Sequence, residues 1–298
     1  MQRISRHITA VLAAVVMLLG IAGRATAQPE GLKVTVGVGV LRPDDRHANF
    51  YNGSPQNENT VVRILNSEQY GPTIWNRLTE QGLISDAVSS YELLQVDEYG
   101  NMHYRLSVLL GVGLRYDWTN GMGWLARFDY AKLTAVGAFN LNANNNTGTL
   151  SNERRYVQCG ISGVEKRINM DLGLCCRLAQ KGVSSYSANV GLNVNNCKVE
   201  RNDMEIAGDT YDIRDIWNGG QPFVGSTAYE YINQGGLGLG AFAGLEWRCQ
   251  VTETSALSLG CTVHYTKIAL NGYESYGLQP QLALRFDIGD FSFLDKQE

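Results

Sequence analysis

Apolar and polar positions alternate along much of this chain. From Met102 to Trp118 every even position is apolar or aromatic: Met102, Tyr104, Leu106, Val108, Leu110, Val112, Leu114, Tyr116, Trp118. The odd positions hold His103, Arg105, Ser107, Leu109, Gly111, Gly113, Arg115 and Asp117. Successive side chains of a strand point to opposite faces, so this segment has one greasy face and one that is polar or very small. A second segment sets Leu237, Leu239, Ala241, Ala243, Leu245, Trp247, Cys249 and Val251 against Gly236, Gly238, Gly240, Phe242, Gly244, Glu246, Arg248 and Gln250. Shorter versions run from Leu32 to Val40, Trp124 to Tyr130, Tyr186 to Val194, Leu257 to Tyr265 and Leu278 to Ile288. Strands of soluble sandwiches are commonly about 5 or 6 residues long. Runs roughly two to three times longer predict an all-β fold, a transmembrane antiparallel up-and-down β-barrel with lipid outside and a polar lumen within.

The connections support that topology. Strands read at 32–42, 101–118, 123–141, 155–168, 170–178, 184–200, 204–211, 236–252, 256–270 and 278–291 make about ten, or eight if the neighbourhood of 204–211 is mostly loop. Short turns fall at Thr119-Asn120-Gly121-Met122, Asn169, Arg201-Asn202-Asp203 and Thr252-Glu253-Thr254-Ser255. They alternate with outer segments at 43–100, 142–154, 179–183, 212–235 and 271–277, as short periplasmic turns and long outer loops require. The first outer loop, 43–100, is long enough to hold its own elements. Asn59-Thr60 caps a predicted helix from Val61 to Asn66, and Pro72 opens another that stops at Gly82. Ile74, Trp75 and Leu78 share an apolar face of that second helix. With Trp217, Phe223 and Tyr229 of the fourth outer loop they form a candidate docking surface, the alternative being that this face packs the loop onto the barrel rim.

The amino terminus changes the picture from any barrel to an exported one. Arg3 and Arg6 precede an apolar stretch from Ile8 to Ile21, and Ala25-Thr26-Ala27 offers small residues for cleavage before Gln28. That stretch is short of the roughly 20 residues a spanning helix needs. The expected division is therefore a signal peptide at 1–27 and an outer-membrane β-barrel at 28–298. With 33 glycines, 15 tyrosines and only 6 prolines, the composition suits long strands with interfacial aromatics. The 29 carboxylates exceed the 25 Lys and Arg, which argues against nucleic acid.

Charges of both signs alternate inward: Arg105, Arg115, Asp117, Arg127, Asp129, Glu246, Arg248, Arg285 and Asp287. A barrel of 8 to 10 strands is just wide enough for side chains to fill its interior. Opposed arginines and carboxylates would satisfy one another there, giving a plugged, salt-bridged lumen. Catalysis has little support. His47, His103 and His264 are the histidines beyond the signal, the latter two are expected in the interior network, and no serine, histidine and carboxylate cluster on outward positions. No cofactor and no metal site is expected. Of the cysteines Cys159, Cys175, Cys176, Cys197, Cys249 and Cys261, three (Cys176, Cys249, Cys261) fall in lipid-facing registers, where a free thiol acts as a small hydrophobe, the alternative being a cross-strand disulfide, and the spacing matches no zinc motif.

The Gly-rich long strands, the signal, and the last amphipathic strand Leu278-Gln279-Pro280-Gln281-Leu282-Ala283-Leu284-Arg285-Phe286-Asp287-Ile288 together resemble the small outer-membrane β-barrels of Bacteroidetes, the PorT-like class. The resemblance is one of pattern over the whole chain beyond the signal. It implies a non-enzymatic cell-envelope protein, an anchor or accessory subunit of a partner complex such as the protein secretion or gliding machinery. The alternative is a narrow channel or transporter. Expected partners are outer-membrane lipid and lipopolysaccharide, the barrel-assembly machinery during insertion, and an envelope complex. The chain departs from the usual bacterial ending, since Asp295-Lys296-Gln297-Glu298 follows Phe293, leaving Phe286, Phe291 or Phe293 for assembly recognition.

Overall fold

A computed structural model describes residues 31–84, 94–118, 120–143, 155–214, 234–252 and 255–288. The signal segment, its cleavage point, Phe291 and Phe293 lie outside the described residues. The strands, in chain order, are β1 (Gly31–Leu41), β2 (Leu94–Tyr99), β3 (His103–Tyr104), β4 (Ser107–Asp117), β5 (Met122–Ala143), β6 (Arg155–Lys181), β7 (Ser184–Ile206), β8 (Asp209–Asp212), β9 (Gly235–Gln250), β10 (Ser255–Lys267) and β11 (Tyr276–Ile288). Eight of them form a closed antiparallel ring in the order β5-β4-β1-β11-β10-β9-β7-β6, with β6 pairing back to β5. Closure removes the open edges that a flat sheet would present. β2 and β3 pair with the far half of β5, and β8 pairs with the end of β7.

The fold is thus a transmembrane-type up-and-down β-barrel of eight strands, not ten. The expected turn at Asn169 does not exist, because β6 runs through it. Glu165, Arg167, Asn169 and Asp171 are buried, while Met170 and Leu172, which alternate with the last of them, are exposed on the outer face. A polar run resembles a turn by composition, yet in a barrel with a polar interior it is simply lumen lining. The expected turn at 201–203 is also strand. Glu165 pairs with Val199 and Val164 with Arg201, so Glu200 is the extra residue of a bulge and β7 continues to Ile206. The segment 179–183, expected outside, reduces to a two-residue turn at Gly182 and Val183, with Gly182 at φ +59°. It lies with the other short connections, 118–121 and 251–254, at the end where β1 begins and β11 stops. At the opposite, long-loop end β1, β5, β7 and β10 finish and β4, β6, β9 and β11 begin.

Strand lengths divide the barrel into two parts. β1, β4, β10 and β11 have 11 to 13 residues. That matches the roughly 9–11 residues of a tilted strand crossing a bilayer. β5, β6 and β7 have 22, 27 and 23 residues and continue past the long-loop rim. Around the shared part the outer face is apolar, with Val38, Leu110, Val112, Leu172, Leu192, Leu239, Leu245 and Leu282 exposed. Aromatic pairs mark its two borders. Tyr116 stacks on Trp124 near the short turns, and Tyr265 stacks on Tyr276 near the long loops. This is the aromatic girdling expected at membrane interfaces.

The helices of the first long connection pack over the mouth. They are α1 (Asp45–Ala48), a 3-10 turn at Asn49–Tyr51, α2 (Val61–Leu65) and α3 (Gly71–Glu80). Asp44 caps α1 by accepting from the Arg46 N–H at 3.0 Å. Pro72 sits in the first turn of α3, and Gly82, at φ +67°, ends it. Ile74 and Leu78 have no exposed surface and join Leu41, Phe50, Val61, Leu133, Phe139, Ile161, Met204 and Ile206 in one apolar core. Each such buried side chain is worth about 1.5–3 kcal/mol. The core lies between the helices and the projecting parts of β5, β6 and β7.

Candidate functional site: the polar lumen and its mouth

Three layers of polar side chains occupy the barrel interior. At the short-turn end, Arg115 donates through Nε to Asp117 Oδ1 at 2.8 Å and through Nη1 to Glu246 Oε1 at 2.6 Å. Arg127 Nη2 donates to the other Glu246 oxygen at 2.6 Å. Asp117 Oδ2 also accepts from Lys33 Nζ at 2.9 Å and Arg248 Nη1 at 3.1 Å. Arg248 Nη2 lies 2.8 Å from Asp287 Oδ2. Arg285 and Gln281 both donate to Asp129 Oδ2, at 3.4 and 2.9 Å. These charges come from β1, β4, β5, β9 and β11 and all are buried. Between Arg115, Arg127, Glu246, Arg285 and Asp287 a cavity leaves about 10 Å³ for the centre of a water-sized sphere. That is room for about one water.

The middle layer joins β6, β7 and β10. Asp171 Oδ2 lies 2.9 Å from His264 Nε2, and Asp171 Oδ1 accepts from Asn193 Nδ2 at 2.7 Å. The third layer lies under the helices. Glu165 and Arg167, both fully buried, form an ion pair at 2.5 Å. Tyr51, from the 3-10 turn, donates its hydroxyl to Glu165 at 2.5 Å, and Tyr104 of β3 donates to the same oxygen at 3.2 Å. Arg167 donates to Gln279 at 2.8 Å and lies 5.3 Å from the centre of the Tyr104 ring. Gly163 is what lets the Tyr51 ring seat against β6. A Cβ there would stand 2.1 Å from Tyr51 Cδ1.

Of the nine charges read as lumen-facing, eight meet in the short-turn layer: Arg115, Asp117, Arg127, Asp129, Glu246, Arg248, Arg285 and Asp287. Arg105 does not. It is exposed, as is Leu106 after it, whereas Met102 and Tyr104 before it are buried. The alternation therefore changes phase at Arg105-Leu106, between β3 and β4, and the inward positions switch from even to odd. For the same reason His103 is exposed while His264 is inside. Lys33, Glu165, Arg167 and Asp171 were missed. Lys33 is the inward neighbour of Val34 in the alternating run of β1, and the other three were hidden by the expected turn at Asn169.

Ile74 and Leu78 offer no docking surface, since both are buried, and Trp75 packs half-buried against the same core. An apolar face this large is stabilised more by covering the projecting sheet than by facing water. Trp217, Phe223 and Tyr229 lie outside the described residues. All six cysteines are free thiols, with Cys261 exposed on the outer face. Outside the apolar band, burial holds the His47 imidazole below its usual protonation range while its Nε2 bonds to the Ser275 carbonyl at 2.9 Å.

No protein-family model matches the chain, and no curated protein matches it. Solved structures do. The attachment invasion locus protein Ail of Yersinia pestis, in complex with the heparin analogue sucrose octasulfate, aligns over 88% of this chain and 99% of its own at 8% identity and TM-score 0.38. Neisserial surface protein A aligns over 88% and 99% at 9% identity and TM-score 0.40. The outer membrane protein OprG of Pseudomonas aeruginosa aligns over 90% and 96% at 10% identity and TM-score 0.36. What this chain is similar to in these structures is a small outer-membrane β-barrel.

Proposed function

We propose that the protein is an integral outer-membrane β-barrel, exported by a signal peptide ending near Ala27, that conducts nothing and serves as an envelope anchor or accessory subunit for a partner complex. The observation that supports this reading is polar packing at both ends of the lumen. Paired charges occupy the short-turn end, and Tyr51 seats against Glu165, which pairs with Arg167, at the other. The long loops then face outward, with both termini periplasmic. The role in secretion or gliding machinery comes from the resemblance to the PorT-like class. Barrel-assembly machinery, lipopolysaccharide and an envelope complex are its proposed partners.

A narrow channel is the second reading. It is favoured by lumen atoms such as Asn193 Oδ1, Asn195 Oδ1, Gln279 Nε2 and Gln281 Oε1, which have no hydrogen-bond partner among the described residues and could line a file of water. Planar-bilayer recording of the refolded protein separates the two. Silence, with envelope proteins co-purifying from native membranes, is the expected result. A steady ohmic current would overturn the closed barrel in favour of the channel.

A further inference from the structure

The outer face of β5, β6 and β7 carries an unusual row. Lys132 pairs in register with Lys166, and Lys166 with Lys198, so three lysines stand side by side on adjacent strands. Like charges placed directly opposite across strands repel, with Cβ atoms about 4.5–5.5 Å apart. One carboxylate serves the row. Glu200 lies 3.6 Å from Lys132 Nζ and pairs with Lys166, whereas exposed Lys198 has no ion-pair partner among the described residues. Arg105 adds another exposed cation, held beside the row by its backbone N–H bonding to Thr134 O at 2.9 Å.

The row also sits at a boundary. Toward the short turns the outward residues in register are Tyr130, Ile168 and Asn196, then Phe128, Met170 and Val194, then Ala126, Leu172 and Leu192. Toward the long loops they are Thr134, Val164 and Arg201, then Val136, Ser162 and Asp203. The lysines thus mark the level at which the apolar band gives way to the projecting sheet. On the opposite wall Lys267 is matched by Glu274 at 2.7 Å.

We propose that Lys132, Lys166 and Lys198, with Arg105, form a binding site for the phosphate headgroup of an anionic lipid whose acyl chains lie along Ile168, Met170 and Leu172. Ammonium groups are point-charge phosphate binders. Basic residues at a membrane surface are drawn to anionic lipid. An isolated anion would satisfy the lysines alone, whereas a lipid satisfies the cations and the greasy strip beneath them together. The site rests on the barrel being membrane-embedded, which membrane fractionation of the full-length protein reads independently.

Native mass spectrometry of the full-length protein in detergent, with diphosphoryl lipid A as probe, tests the site. The wild type should retain lipid, and the Lys132→Gln/Lys166→Gln/Lys198→Gln variant should bind about a hundredfold more weakly. The corresponding triple arginine variant should retain binding, as should Lys181→Gln, which removes an exposed lysine near the short turns. Heat-modifiable gel migration checks folding. If the triple glutamine variant fails to fold, Lys198→Gln, which breaks no ion pair, should still lose about fivefold. Undiminished binding by the folded glutamine variants, equal binding of the same glycolipid stripped of its phosphates, or displacement of the lipid by millimolar inorganic phosphate would each overturn the assignment.

Discussion

Glu165 and Arg167 are enclosed so completely that neither can find another counter-ion. Replacing Glu165 with glutamine leaves a buried guanidinium without its carboxylate, at a cost of about 3–5 kcal/mol. Urea unfolding in lipid vesicles should show that loss, and the Glu165→Gln/Arg167→Met pair should recover much of it. Gly163→Ala acts on the same layer by steric means, since Tyr51 must leave its seat. The expected outcome is a helical connection that limited proteolysis removes more readily, with the short-turn layer of charges left in place. His47 supplies a pH dependence. Its folded-state pKa is depressed by burial, so the folded form favours the neutral ring and the unfolded chain binds the extra proton. Its contribution is fully present above the ordinary imidazole value of about 6.5 and is lost as pH falls below it. Protease protection of the helical connection should therefore weaken as pH falls below about 6.5, and His47→Gln should flatten that dependence.

At the scale of elements, α3 is a clamp held by Ile74 and Leu78. Leu78→Ala should cost about 2–5 kcal/mol locally. Trypsin should then cut at Arg77 while the heat-modifiable migration of the barrel is unchanged. This helix was legible in the sequence, from Pro72 through Gly82, because proline and glycine act locally on the backbone. The barrel strands were legible where period two was unbroken, as in β9 and β10. What the local pattern did not carry was polarity whose meaning depends on the far wall. Asn169 looks like a turn until β5 and β7 flank it, with Asp129 and Asn195 opposite, and Arg105 looks inward until the phase break beside it is seen. Eight of the nine lumen charges were readable because their strands kept one phase from end to end. The Tyr51–Glu165 contact spans 114 positions and joins a loop to a wall, which no local periodicity reports.

For the whole molecule, the separation of an apolar belt from a helical cap predicts two unfolding behaviours. Mild protease should remove the cap first, and only boiling in detergent should shift the barrel on a gel. The free thiols predict identical migration with and without reductant. A maleimide too polar to enter lipid should leave Cys261 untouched in membranes yet label it in detergent. Such a result would place this residue at the lipid-facing surface and, with it, the band that surrounds it.

The unequal strand lengths give the barrel a direction within the plane of the membrane. Five strands stop near the rim, while β5, β6 and β7 stand above it as a screen. A neighbour drifting sideways through the bilayer meets the low gunwale from one bearing and the screen from the other. Rotation about the membrane normal then ceases to be neutral, and two such barrels, or a barrel and a larger machine, would settle at a preferred compass heading.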